Sequence, residues 1–198
     1  HVRGKKRKLF CGWIIKEDIS EEIFFAIRTI FLYNASFKGM YAIHSASVLY
    51  KDKAWLFSGH SGAGKSTHTN MWKELFNTPV INGDLNLIDI NTTDGIPVVI
   101  GIPWCGTSGI YTSRSYPLGG ITFIKKDITD QVRRIDGDDA VLSIAQRMIS
   151  PCWNTRLLEN NLAASEKIAA GITVFRLCCT KNPSSAFLMK EEIDNEYH

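Results

Sequence analysis

Apolar and polar positions fall into short blocks that read as alternating strands and helices. Residues 41–49 and 54–57 are apolar, strand-forming runs on either side of Lys51-Asp52-Lys53, which predicts a hairpin. Residues 79–81 and 85–90 read as two further strands. Thr92-Thr93-Asp94-Gly95 then predicts a turn into a strand over 97–103. Residues 119–125 and 131–135 form another strand pair, and 173–179 a last strand. Helices are predicted over 20–36, mostly buried and opened by Ser20-Glu21-Glu22, and over 66–76. Asp138 and Asp139 cap a helix to about residue 149, a helix over 155–170 closes at Gly171, and Pro183 opens a terminal helix at its first position. Strands follow one another in hairpins more often than they alternate with helices. The pattern predicts an α/β fold with a mixed, largely hairpin-built sheet and flanking helices, and argues against a Rossmann domain.

Composition narrows this picture. The 198 residues are 44% hydrophobic, 22% charged and 11% aromatic, a soluble globular profile that excludes disorder, collagen and coiled coil. This length predicts a single domain, with residues 1–19 as a peripheral segment. The most apolar stretch, 23–33, is interrupted by Arg28 and Thr29 and is too short to span a membrane. The net charge of +3 is local, because Arg3, Lys5, Lys6, Arg7 and Lys8 supply five of 23 basic residues. That run reads as a solvated tail, with a local nucleic-acid or membrane patch as the alternative. The remaining 18 basic residues face 20 acidic ones, so neither a nucleic acid nor a membrane is expected as partner. The cysteine count is odd: Cys11, Cys105, Cys152, Cys178 and Cys179, with no C-x-x-C. This predicts free thiols and a cytoplasmic protein.

The chemistry is concentrated in Gly59-His60-Ser61-Gly62-Ala63-Gly64-Lys65-Ser66, a complete G-x-x-x-x-G-K-[ST] phosphate loop followed by Thr67. Small residues let successive backbone N–H groups converge on phosphate oxygens, and the following helix adds the positive end of its dipole. Lys65 supplies a point charge for the β- and γ-phosphates, and the Ser66 hydroxyl is a ligand for Mg²⁺ or Mn²⁺. ATP is the expected nucleotide, since no guanine-reading N-K-x-D occurs. A second metal-side carboxylate is expected at the end of a neighbouring strand. Asp84, 19 positions after Lys65, ends the apolar run Pro79-Val80-Ile81-Asn82-Gly83. His44, 15 positions before the loop, lies on the strand that pairs with the one leading into it, and can bind metal, relay a proton or serve only the fold.

These elements, in this order and at these separations over residues 40–126, resemble the P-loop domain shared by HPr kinase/phosphorylase and ATP-dependent phosphoenolpyruvate carboxykinase. The short HPr-kinase-like proteins are the nearest in pattern. They share a loop continuing as Lys65-Ser66-Thr67-His68-Thr69-Asn70-Met71-Trp72, a stretch like Gly101-Ile102-Pro103-Trp104-Cys105-Gly106-Thr107-Ser108-Gly109 and a strand like Tyr116-Pro117-Leu118-Gly119-Gly120-Ile121. The resemblance implies that His44 and Asp84 hold a divalent metal at the γ-phosphate and that Arg114 contacts transferred phosphate or acceptor. It also implies a homo-oligomer. One position departs from the family: the first of its two adjacent aspartates, the proposed base for the attacking hydroxyl, is Gly83 here.

The resemblance points to an ATP-dependent kinase acting on a hydroxyl, such as a serine of a small protein or peptide. The loop from Trp104 to Arg114 is expected to close over that acceptor, with Trp104 nearest the ligand. A carboxykinase-like enzyme forming phosphoenolpyruvate is the second enzymatic reading. A nucleotide-binding sensor or peptide-binding module, with its catalytic pair reduced to Gly83-Asp84, is the non-enzymatic one.

Overall fold

The computed structural model describes residues 21–150 and 153–197. The basic run at 3–8, the Ser20 cap, Cys11 and Cys152 lie outside them. The element order is α1 (Glu21–Ser36), β1 (Met40–Tyr50), β2 (Lys53–Ser58), α2 (Lys65–Phe76), β3 (Val80–Asn82), β4 (Leu85–Asp89), β5 (Val98–Ile100), β6 (Ser115–Lys126), β7 (Gln131–Ile135), α3 (Gly137–Ala145), α4 (Thr155–Gly171), β8 (Thr173–Cys179) and α5 (Ser184–Asn195).

The fold is mixed α/β, as the hairpin pattern predicts. The strands form one sheet in the order β2-β1-β4-β5-β6-β8-β7, with β3 paired to β1. Neighbours up to β6 run antiparallel, whereas β6 pairs in parallel with both β2 and β8. Because β2 pairs with β1 on one side and β6 on the other, the pairings β2-β1-β4-β5-β6 close into a ring. The C-terminal ends of the parallel strands β2, β6 and β8 therefore share one edge. In open parallel sheets that edge is where ligands collect.

Strand alternation divides the core. In β2, Ala54 and Leu56 join a cluster with Ile144 of α3 and Ile168 of α4. Trp55 and Phe57 join another with Trp72 of α2 and Met189 of α5, as a period of two requires. A third cluster holds Leu32 and Ala35 of α1 against Leu85 and Leu87 of β4.

Several predicted details change. Helix α1 is not mostly buried: Ile23, Ile27 and Ile30 are 51, 49 and 62% exposed. It is apolar on more faces than the sheet can cover, and among its described side chains just Leu32, Ala35 and Ser36, near its C-terminus, are buried. Asp136 holds the N-cap position of α3, which ends at Ala145 rather than near 149. Sheet pairing wins there: Met148 bridges Ile43, and the Ile149 N–H donates to the Ala42 carbonyl at 2.9 Å. Gly171 is the last residue of α4 and Ile172 its C-cap in extended conformation, while Pro183 is the N-cap residue of α5.

Candidate functional site

Strand β2 delivers the chain to the shared edge at Ser58, which is fully buried and whose hydroxyl donates to the His44 carbonyl at 2.7 Å. The loop that follows turns on Gly62 and Gly64, with φ of 73° and 109°, a left-handed backbone that disfavours any side chain. A Cβ at either would meet nothing within 4 Å, so the space beside both glycines is open and their backbone conformation alone selects glycine. The Ala63 N–H closes the loop onto the His60 carbonyl, and α2 begins with His68 N–H donating to Gly64. The N–H groups at the start of α2 thus have no carbonyl of their own helix to bond. An open glycine cradle at a helix N-terminus fits a phosphate chain.

Lys65 folds back over this loop. Its Nζ donates to the Gly59 carbonyl at 3.3 Å and the His60 carbonyl at 3.4 Å. Burial pushes its pKa down and the positive charge of Arg147 adds to that, while the Asp84 carboxylate opposes both. Lys65 and Asp84 therefore share one electrostatic environment.

Asp84 is fixed by a side-chain-built turn. The fully buried Asn82 accepts from the N–H groups of Asp84 and Leu85 at 2.9 and 3.1 Å, and its amide donates to Ile102 at 2.8 Å. The Asp84 carbonyl in turn accepts from the Ser45 N–H and from Nδ1 of His44, at 3.0 and 2.8 Å. A carbonyl only accepts, so Nδ1 carries hydrogen and a neutral His44 ring presents a bare Nε2. The same Nδ1 is 3.4 Å from the Asp84 carboxylate. The side chains of His44 and Asp84 are 48 and 31% exposed, open enough to meet a ligand.

The structure thus brings His44, Asp84 and Lys65 to one end of the sheet, with Ser66 beside Lys65 at the start of α2. Among the described residues no group of three or more His, Cys, Asp or Glu side chains could hold a metal ion. The donors that remain are one carboxylate, one hydroxyl and one imidazole nitrogen. This small, mainly oxygen set fits an ion that keeps several waters, as Mg²⁺ and Mn²⁺ do.

Among the described residues, Arg114 and Trp104 form no hydrogen bond or ion pair with His44, Asp84 or Lys65. Arg114 precedes β6, its carbonyl accepts from the Gly101 N–H, and its guanidinium makes no hydrogen bond or ion pair with the described residues. Trp104 faces α1, with ring centroids 5.1 Å from Phe31 and 6.4 Å from Phe24, so it anchors its loop instead of lining the phosphate site.

A residue that the sequence reading passed over takes a place here. Arg147 follows the end of α3, gives its carbonyl to the His44 N–H at 2.9 Å and sets Nη2 against the His60 ring, 2.7 Å from Nε2. A basic residue in a predicted last helical turn looks like an ordinary solvated helix end, which is why it escaped notice. Cavities of about 510 and 460 Å³ flank the loop. The first lies along Lys65, His68 and Thr180, the second along His60, Lys125 and Arg147.

No family model matches the chain, and no curated protein matches it. Among solved structures it is similar to the HPr(Ser) kinase/phosphatase from Coxiella burnetii, at 9% identity and a TM-score of 0.45, over 79% of this chain and 99% of that one. The functional reading is carried by the residues of the chain itself.

Proposed function

We propose that the protein is an ATP-dependent phosphotransferase acting on a hydroxyl acceptor, such as a serine of a small protein or peptide. The observation that carries this is the convergence of Lys65, on an open glycine-built phosphate loop, with the His44–Asp84 pair held 2.8 Å apart through the Asp84 carbonyl. The loop amides from Gly59 to Thr67 would hold the phosphate chain, and Lys65 would meet its β and γ oxygens. Ser66 and Asp84 would hold Mg²⁺ or Mn²⁺, with His44 Nε2 available as a third donor; the ion would neutralise charge on the phosphate oxygens. Arg147, already beside His60, adds a second cation for the transferred group. Arg114 is left to the acceptor side of the 101–114 loop.

Gly83 removes the carboxylate that the resemblance would make the base. Loose phosphoryl-transfer transition states depend on positioning and charge far more than on a strong base, so its absence is compatible with turnover. Calorimetric titration with ATP and Mg²⁺, run beside phosphate release, tests the proposal. Wild type is expected to bind and turn over, with Asp84→Ala losing turnover. Absence of binding by the wild type overturns it.

A further inference from the structure

Gly83 is more than a missing acid, because its place is filled. A Cβ built on Gly83 would stand 2.1 Å from Ser108 Oγ, 2.6 Å from Ser108 Cβ and 3.3 Å from the Cys105 carbonyl. Ser108 ends a short 3₁₀ turn, Gly106–Ser108, whose first residue leans on the neighbouring carboxylate: a Cβ on Gly106 would lie 2.9 Å from Asp84 Cγ. The turn is tethered on both sides. Trp104 packs on Phe31 before it, and afterwards Tyr111 bridges Asn82 and the Thr112 N–H donates to Ile81 at 3.0 Å. Ser108 is exposed, and its hydroxyl is held only by loop backbone, donating to the Cys105 carbonyl and accepting from the Ile110 N–H.

We propose that Ser108 is a phosphoryl acceptor of this protein's own site. The inference rests on the phosphotransferase reading above and names one substrate of that site. A hydroxyl tethered against the Gly83–Asp84 turn does not have to be captured from solution, which replaces a second-order encounter with a first-order step. Ser108 Oγ would form a bond to the γ-phosphorus of ATP as the bond to the β–γ bridging oxygen breaks. ADP leaves, and the hydroxyl proton passes to water, to which this exposed turn is open. A glycine at 83 is what admits the serine, since any side chain there would displace it.

The test is phosphopeptide mass spectrometry of the purified chain after incubation with Mg²⁺ and ATP, with ATP binding measured on the same samples by calorimetry. The expected result is one phosphoryl group on Ser108, absent in Lys65→Ala. Ser108→Ala should bind ATP like wild type and carry no phosphate on this turn. The fraction modified per unit time should not change with chain concentration, and a rate that rises with it overturns the intramolecular step. Wild type that binds ATP and releases its γ-phosphate while Ser108 stays bare overturns the proposal and leaves the phosphotransferase reading intact. Failure to bind ATP at all overturns both.

Discussion

Two histidines flank the phosphate loop in opposite surroundings. His44, on β1, has nearly half its side chain in solvent, and a backbone carbonyl fixes its tautomer. His68, on the underside of α2, is 2% exposed and lies 4.6 Å from the Phe57 ring and 6.5 Å from Trp72, with neither nitrogen hydrogen-bonded. Burial drives its pKa from 6.5 to about 4, with only the Asp130 carboxylate opposing. The first ring is held by a polar partner where ligands can reach it. The second is held by shape among aromatics that help fix α2, and so the loop, to the sheet. A residue type alone therefore says little about chemistry at this edge; what decides is which partner the backbone offers and whether water reaches the ring.

The largest effect is expected on the open side. Lys65→Ala removes the ammonium that spans the loop, and loss of such a preorganised charge costs on the order of 10² to 10³ in turnover, about 3–4 kcal/mol. Phosphate release at saturating ATP measures it. Thermal stability should stay near that of wild type, because Lys65 bonds only to carbonyls of its own loop.

The next effect belongs to the buried ring. An unfolded His68 takes up a proton near pH 6.5, while the folded ring resists until about 4. Between those values the unfolded chain binds more protons, so stability falls as the pH drops, by about 3 kcal/mol over the whole window. The depressed carboxyl groups of Asp130, Asp139 and Asp194 act mainly below 3.8 and overlap only the acid end of that window, so the part of the slope above about pH 5 belongs to His68. Urea unfolding at successive pH values should show the slope in wild type and its loss in His68→Phe. An unchanged slope in that variant would break the contrast between the two rings.

A smaller effect is expected where the turn meets Gly83. Gly83→Ala forces a methyl against Ser108 and should cost about 1–3 kcal/mol. If crowding is the cause, Ser108→Gly added to Gly83→Ala should restore much of the loss, a coupling that a double-mutant cycle by denaturant unfolding reads directly.

These contrasts also show which parts of the molecule were legible in its residues. The conformation of the glycine loop was, because it is written in contiguous positions: glycines for left-handed backbone, then Lys65 and Ser66 entering a helix. Asp84 was, because an apolar run ended on it. The β1–β2 hairpin and the mixed sheet followed from short strand blocks with no helix between them. Arg147 was not, since it reaches the site only after α3 gives way to a bridge with β1, a choice made by tertiary pairing and not by helix propensity. Trp104 was misjudged because its partners, Phe24 and Phe31, lie on a helix some 70 to 80 positions earlier. The filling of Gly83 by Ser108 was equally hidden, for sequence separation carries no sign of a close approach.

The smallest expected change in stability completes the comparison of the two histidines. His44→Ala deletes a ring whose partner, the Asp84 carbonyl, keeps a second hydrogen bond from the Ser45 N–H, and water can replace the lost donor at this half-exposed position. The loss of an exposed bond of this kind is worth about 1 kcal/mol or less. Turnover should nevertheless fall, since Nε2 goes with the ring, while His68→Phe keeps turnover because its ring bonds to nothing in the site. Measuring melting and phosphate release on both variants separates the two roles. A His44→Ala protein that unfolds like a core mutant, with normal turnover in what remains folded, would make His44 a fold-holding residue. It would also leave Asp84 and Lys65 to carry the chemistry without it.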